Sequence, residues 1–140
     1  MRRLIAAPPE RVFSAWTNPA ELKKWWGPAG VRCVSAEVEL QVGGRYKIEN
    51  ALPNGETLWI AGEFEQIEKP HLLVYTWFLE SENPAVERVS IRFDRHESGT
   101  EIVLTHEQIA TPALQEQHQL GWNGCFDGLA DHLDEISGPN

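Results

Sequence analysis

The sequence predicts an α+β fold in which seven antiparallel strands wrap around one long C-terminal helix, with two short helices between the first strand and the second. Three observations predict it. An apolar stripe of helical period runs from Thr111 to Ile136, two-residue alternation recurs between Val31 and His106, and tight-turn signals separate the alternating stretches. Short turns make neighbouring strands antiparallel. One face of such a sheet needs a cover, the stripe supplies it, and the sheet's own twist bends the strands around what they cover.

The long helix carries start and stop signals. Thr111 can cap the first free amides and Pro112 suits the first helical position, while Ser137-Gly138-Pro139 reads as a left-handed stop. Between them Leu114, His118, Trp122, Cys125, Leu129, Leu133 and Ile136 recur every three or four residues, which makes one continuous face. In isolation this helix is weak, because Gly121, Gly124 and Gly128 together cost about 3 kcal/mol relative to alanine. Burying Leu114, Trp122, Leu129, Leu133 and Ile136 returns on the order of 10 kcal/mol, an upper bound that still wins. The helix is therefore expected against a wall. Its glycines mark either a close backbone contact or the edge of an open space.

Taken from the start, Leu4 to Ala6 end a short strand, and Pro8-Pro9-Glu10 opens a helix in which Val12, Phe13 and Trp16 share a face. Asn18-Pro19 resets the chain into a second helix with Leu22, Trp25 and Trp26 on one side, ended by Gly27-Pro28. From Val31 the period is two: Val34, Ala36, Val38 and Leu40 alternate with polar residues, and Gly43-Gly44 turns the strand. Arg45 to Asn50 sends Tyr46 and Ile48 inward, and Asn54-Gly55 makes a hairpin to a strand from Thr57 to Ile67. Leu72 to Leu79 is apolar on both parities, the signature of a central strand covered on both sides. Asn83-Pro84 breaks it. Arg88 to Phe93 directs Val89, Ile91 and Phe93 inward, and after Ser98-Gly99 the last strand does so with Ile102, Leu104 and His106.

Composition narrows the function classes. With 140 residues, 41% of them hydrophobic, the chain is expected to form a single domain, 1–140, with a sizeable core. Its net charge of -9 repels DNA, RNA and anionic membranes, so no nucleic-acid partner and no membrane are expected. No apolar run approaches the roughly 20 residues of a spanning helix, and the start lacks a signal sequence's apolar core. The reading is cytoplasmic, with Cys33 and Cys125 as reduced, buried thiols.

Where alternation is clear it turns Glu37, Glu39, Arg45, Lys47, Arg88, Arg92 and Glu101 outward. The inner face keeps apolar surface and a few neutral handles: Tyr46, His106, His118, Cys125 and the Trp122 indole. Such a lining suits either a filled core or a pocket for an apolar ligand. Further residues placed at that pocket are Trp25, Trp26, Tyr75, Trp77, Leu104 and Phe126. Trp25 and Trp26 are helix neighbours and cannot both point fully inward, so one is expected at the pocket mouth or as a wedge under the short helices.

Several pieces in order carry a resemblance: Pro9-Glu10-Arg11-Val12-Phe13 with Trp16, Leu22 to Trp25-Trp26-Gly27-Pro28, and Gly43-Gly44-Arg45-Tyr46. Gly62, Pro70, Tyr75-Thr76-Trp77, Gly99-Thr100, Leu104-Thr105-His106 and Gly121-Trp122 with Leu129 follow. In these the chain resembles the START-like (SRPBCC, helix-grip) superfamily, and within it the activator of heat shock protein 90 ATPase homologue-like family. The resemblance covers nearly the whole chain and implies a curved seven-stranded antiparallel sheet gripping the C-terminal helix, with a cavity for an apolar molecule between them. The eukaryotic co-chaperones of this group carry an additional N-terminal domain, whereas here the grip domain accounts for all 140 residues. Chaperone activation is therefore not the expected activity.

Chemistry is sparse on this reading. His106 is placed to hydrogen-bond a ligand or move a proton. His118, Cys125 and His132 recur every seven residues, but seven residues rise about 10.5 Å and an ion's donors lie about 2.0 to 2.3 Å from it, so no two share a metal. No metal and no cofactor are expected, and Cys125 reads as an inert thiol. The leading expectation is binding of a mainly apolar small molecule, with no catalysis identified, by a monomer or homodimer. One alternative is a cyclase or dehydratase-type enzyme using His106 with Tyr46 or Tyr75. The other is a co-chaperone-like interaction module with an acidic outer face.

Overall fold

The computed structural model describes residues 1–27, 30–80, 86–109 and 111–137, with the backbone alone for 134–137. In chain order these form β1 (Arg2–Ile5), α1 (Pro9–Thr17), α2 (Pro19–Trp25), β2 (Arg32–Val38) and β3 (Arg45–Ala51). They continue with β4 (Thr57–Glu68), β5 (Leu72–Leu79), β6 (Glu87–His96), β7 (Gly99–Glu107) and α3 (Pro112–Ser137). The seven strands make one antiparallel sheet in the order β1-β7-β6-β5-β4-β3-β2. The predicted α+β class and element order are those of the structure. The strand break expected at Asn83-Pro84 and the helix stop at Gly138-Pro139 lie outside the described residues.

Local chemistry accounts for the ends of elements. Thr111 caps α3 as expected, its Oγ1 accepting from the Leu114 amide at 3.1 Å. Asn18 does the same for α2 through the Ala20 amide at 2.9 Å. At the β3–β4 hairpin the Asn54 side chain accepts from the Glu56 amide and Gly55 takes φ 88°, a left-handed conformation open to glycine. No helix among the described residues is long and apolar enough to cross a membrane.

Two strands depart from the sequence reading. In β2 a register shift between Cys33 and Ser35 breaks the alternation, so Cys33 is buried while Val34 is half-buried. The strand also ends at Val38, which leaves Leu40 40% exposed and not inward. β5 is the middle strand, as expected, but it is not covered on both sides. Leu73, Tyr75 and Trp77 are buried while Leu72, Val74, Thr76 and Phe78 are only half-buried, so its apolar outer parity is partly open to solvent.

The core lies on the inner face, where Leu73, Val89, Ile91, Phe93, Ile102 and Leu104 meet Phe126, Leu129 and Leu133 of α3. Phe13 and Trp16 of α1 close one end, with Trp16 stacked at 6.1 Å on Trp122. The helical stripe is thus buried from Trp122 to Leu133, whereas Leu114 and His118 at its start are half-buried. That partial burial marks where α3 and the sheet diverge.

Candidate functional site

Where α3 diverges from the sheet, a cleft of about 220 Å³ opens between them. Its walls come from Asn50, Leu58, Ile60, Trp77 and Leu79 on β3 to β5, from Trp26 and Val31 beyond α2, and from Leu114, Gln117, His118, Gly121, Trp122 and Cys125 on α3. None of these is Asp, Glu, Lys or Arg. Both readings of the glycines hold, each at its own position. A Cβ on Gly128 would sit 2.4 Å from the Trp25 carbonyl oxygen, so that glycine lets α3 and α2 touch backbone to backbone. A Cβ on Gly121 would meet nothing within 4 Å, and that glycine faces the cleft.

His118 and Trp122 also border a second recess, of about 320 Å³, with Met1, Leu104, Thr105, His106, Ile109, Gln115 and Gln119. Between the two spaces runs a buried polar chain. The Trp122 indole donates to His106 Nδ1 at 3.0 Å, and His106 Nε2 lies 2.7 Å from Glu87 Oε1. An indole N–H only donates, so His106 Nδ1 must accept, and the neutral ring carries its proton on Nε2 and gives it to Glu87. His118 Nε2 lies 3.0 Å from the same carboxylate oxygen but at an angle that makes no hydrogen bond. The two imidazoles stack at 4.3 Å between centroids, with Trp77 edge-on to both.

Burial sets the charge states. Removal from water holds the Glu87 carboxyl above the usual carboxylate range. The same desolvation, with the neighbouring His118 acting second, brings His106 down to about 4, and it lowers His118 as well. Both rings are neutral at pH 7. Glu87 corrects the expectation of an inner face without formal charge, since its side chain is only 3% exposed. β6 begins one residue earlier than the sequence pattern placed it, and the parity of Val89, Ile91 and Phe93 extends back to Glu87.

The donor atoms of Glu87, His106 and His118 all lie within 4.8 Å of one another, close enough for one cation. The donor set fits a cation poorly. Ligation through His106 Nε2 would drive its proton to Nδ1, where it would face the Trp122 N–H, whereas metal-bound imidazoles give that proton to an acceptor. The arrangement suits proton storage and transfer instead. Glu87→Ala is expected to destabilise the domain by about 2 kcal/mol by orphaning the His106 N–H, while Glu87→Gln, which keeps an acceptor, stays within about 1 kcal/mol. Urea denaturation at pH 7 distinguishes them.

The remaining sequence-predicted residues divide between walls and core. Trp26 and Trp77 line the cleft, and Leu104 and His106 line the second recess. Trp25, Tyr46, Tyr75 and Phe126 are buried in the core and line neither space. Both adjacent tryptophans are buried, contrary to the helix-neighbour argument, because Trp26 has already left the helix with φ -68° and ψ 137°. Trp25 donates to the Ala15 carbonyl at 2.9 Å and acts as the wedge. Tyr46 donates to the Thr76 carbonyl at 2.7 Å, and the Tyr75 hydroxyl accepts from the Trp16 indole at 3.4 Å. Burial raises both phenols. The hydrogen-bond partners of His106 are Glu87 and Trp122, and the two tyrosine hydroxyls bond elsewhere.

The stepped residues of α3 are separated as their spacing requires. Cys125 and Cys33 are unpaired and buried, and burial pushes the Cys125 thiol up to about 12, too high for a nucleophile at neutral pH. His132 meets Glu21 of α2 at 3.0 Å, a structural tie between helices. Asn50 and Glu87 were not among the expected site residues. Both were readable by parity, Asn50 two residues after Ile48 and Glu87 two before Val89.

Comparison with known proteins agrees with this architecture. A protein from Chromobacterium violaceum is 28% identical, with a TM-score of 0.83 over 94% of this chain and 93% of that one. A protein from Nitrosomonas europaea is 24% identical, with a TM-score of 0.83 over 99% and 95%. The AHSA1 protein from Silicibacter pomeroyi is 20% identical, with a TM-score of 0.86 over 97% and 96%. No curated protein sequence matches the chain. Residues 6–134 match the family described as activator of Hsp90 ATPase homolog 1-like protein, which includes both short helices, six complete strands and most of α3. With nearly every element of a helix-grip fold inside that match, and a fold consistent with the START-like superfamily, the chain belongs to the AHSA1 family.

Proposed function

We propose that this domain binds a mainly apolar small molecule in the cleft between its sheet and α3. The observation that carries the reading is Gly121. An exposed or loosely packed helix position gains about 1 kcal/mol from alanine, and no close contact demands a glycine here. The space it leaves is bordered by side chains without formal charge, and its volume of about 220 Å³ is well above what one or two waters need. A compact ligand the size of one substituted ring suits it. The two unpaired buried thiols support a reducing, cytoplasmic setting.

Native mass spectrometry of the purified protein is expected to retain an added small mass or to acquire one on incubation with toluene. Gly121→Leu, which fills the space, should weaken toluene binding about tenfold or more. A wild-type protein that takes up neither a cellular molecule nor toluene ends the reading.

A second reading, acid–base catalysis on the bound molecule, is favoured by one observation. His118 borders the cleft with its Nε2 3.0 Å from the Glu87 carboxylate, so a turn of the ring that closes this hydrogen bond lets a proton pass between a buried store and a ligand. Its test is exchange of an acidic ligand proton for deuterium, lost in His118→Ala and kept in Tyr75→Phe.

A further inference from the structure

β5 is apolar on both parities although α3 covers only its inner side, so its outer residues Leu72, Val74 and Phe78 lie half-buried in the middle of the sheet. The strand register shows what flanks them. Level with Thr76, the outer face carries Arg45 on β3, Glu63 on β4, Arg88 on β6 and Glu107 on β7. Level with Val74 the neighbours are Gln66 and Ser90, and level with Leu72 they are Glu68 and Arg92. Each charged row thus has opposite signs at equal distances on the two sides of β5, and the row between them has none. Pairing within the chain uses part of this charge. Arg88 gives its Nε to Glu65 at 2.8 Å across β5, and Arg92 gives its Nη2 to Asp94 at 3.0 Å, while Arg45, Glu63 and Glu107 are exposed.

We infer that this outer face pairs with a second copy of the chain about a two-fold axis running along β5. Such an axis sets β5 on β5 and exchanges the flanks, so Glu63 meets Arg88 of the copy, Arg45 meets its Glu107 and Glu68 meets its Arg92. Leu72, Val74 and Phe78 are then covered by their own counterparts. The other in-plane axis, across the strands, sets β4 on β4 and gathers the acids Glu63, Glu65 and Glu68 against one another. A partner of one charge sign is repelled by one flank or the other, whereas a second copy answers both. The sheet bends around α3 and turns a convex face outward, so contact centres on β4 to β6. Over the eight residues of β5 those three strands present roughly 400 Å², about half of the ~800 Å² per partner of a standard interface. The net charge of -9 on each copy opposes association as well. The dimer is therefore weak, with the apolar strand supplying the affinity and the charges the register.

Sedimentation of the full chain from about 10 μM to about 1 mM at moderate salt is expected to show its mass rising from that of one chain toward two. Val74→Lys and Val74→Glu should each remain single chains, because the axis sets position 74 against itself and like charges then face each other. An equimolar mixture of the two variants should pair again, Lys on Glu. Glu63→Arg should weaken pairing about tenfold, and Arg88→Glu added to it should restore the affinity. Leu120→Ser, on α3 and 73% exposed in the wild type, should leave pairing unchanged. A wild-type chain that stays single up to about 1 mM overturns the inference and leaves the face to a different partner. So does a dimer that survives both Val74 variants, and a mixture of them that stays single overturns the axis. Val74 lies on the outer face, and circular dichroism checks that its variants fold; if they do not, the wild-type masses and the Glu63 and Arg88 pair decide the matter.

Discussion

Gly128→Ala is expected to lower the stability of the domain by about 3 kcal/mol, while Gly121→Ala, seven residues earlier on the same helix, raises it by up to about 1 kcal/mol. The two changes add the same methyl group to the same kind of backbone, so the helical gain is common to both. They differ in what the methyl meets. At Gly128 it falls 2.4 Å from the carbonyl oxygen of Trp25, a backbone atom that moves only if α2 moves. Trp25 in turn is held by its hydrogen bond to Ala15 and by its 5.1 Å ring contact with Trp16. At Gly121 the methyl enters open space at the cleft. Chemical denaturation of the two variants checks the difference, and near-equal effects would mean that α3 does not approach α2 as described.

Between pH 6.5 and pH 4 the protein is expected to lose stability through His106, by an upper bound of about 3 kcal/mol. The sign follows from where the proton binds first. His106 sits at about 4 in the folded chain against 6.5 for the free side chain, so as the pH falls the unfolded chain takes up the proton before the folded one does. Its contribution is complete above pH 6.5 and gone once the pH has passed below about 4. Protonation is opposed by burial first and by His118 second, and it would also turn a second N–H toward the Trp122 indole. His118, lowered by burial, acts in the same direction. Glu87 acts in the opposite one, because its raised value favours the folded state at low pH and withdraws that advantage as the pH climbs through it. The readout is therefore the difference between wild type and His106→Asn, which offers Trp122 an amide oxygen and cancels the changes common to both. A difference that stays constant across this window would refute the assignment.

Element order and family were readable from the chain because each rests on local regularities. Alternation at Tyr46 and Ile48, or at Ile102 and Leu104, is a property of a few consecutive residues and survives whatever the strand pairs with. The same is true of the Thr111 cap, the Asn54-Gly55 hairpin and the ordered motifs that match residues 6–134 of the family. Errors arose where one residue moved the frame. The shift between Cys33 and Ser35 upset the parity of β2, and starting β6 one residue late hid Glu87. β5 misled for another reason: an apolar outer parity is compatible with partial exposure, so composition alone does not reveal a missing second layer.

The order of the elements, the inward face of most strands and the capped helix that covers them were written in short-range patterns, whose physics is backbone geometry and side-chain period. Which glycine touches a neighbour and which faces open space was settled only by the path of α2 beneath α3, a distance of many residues along the chain. The meeting of Glu87, His106, His118 and Trp122 was likewise settled by β6 pairing with β7 and α3 crossing above them. Periodicity assigns a side chain to a face but not to a partner, because a hydrogen bond depends on tenths of an ångström between segments that the sequence places far apart.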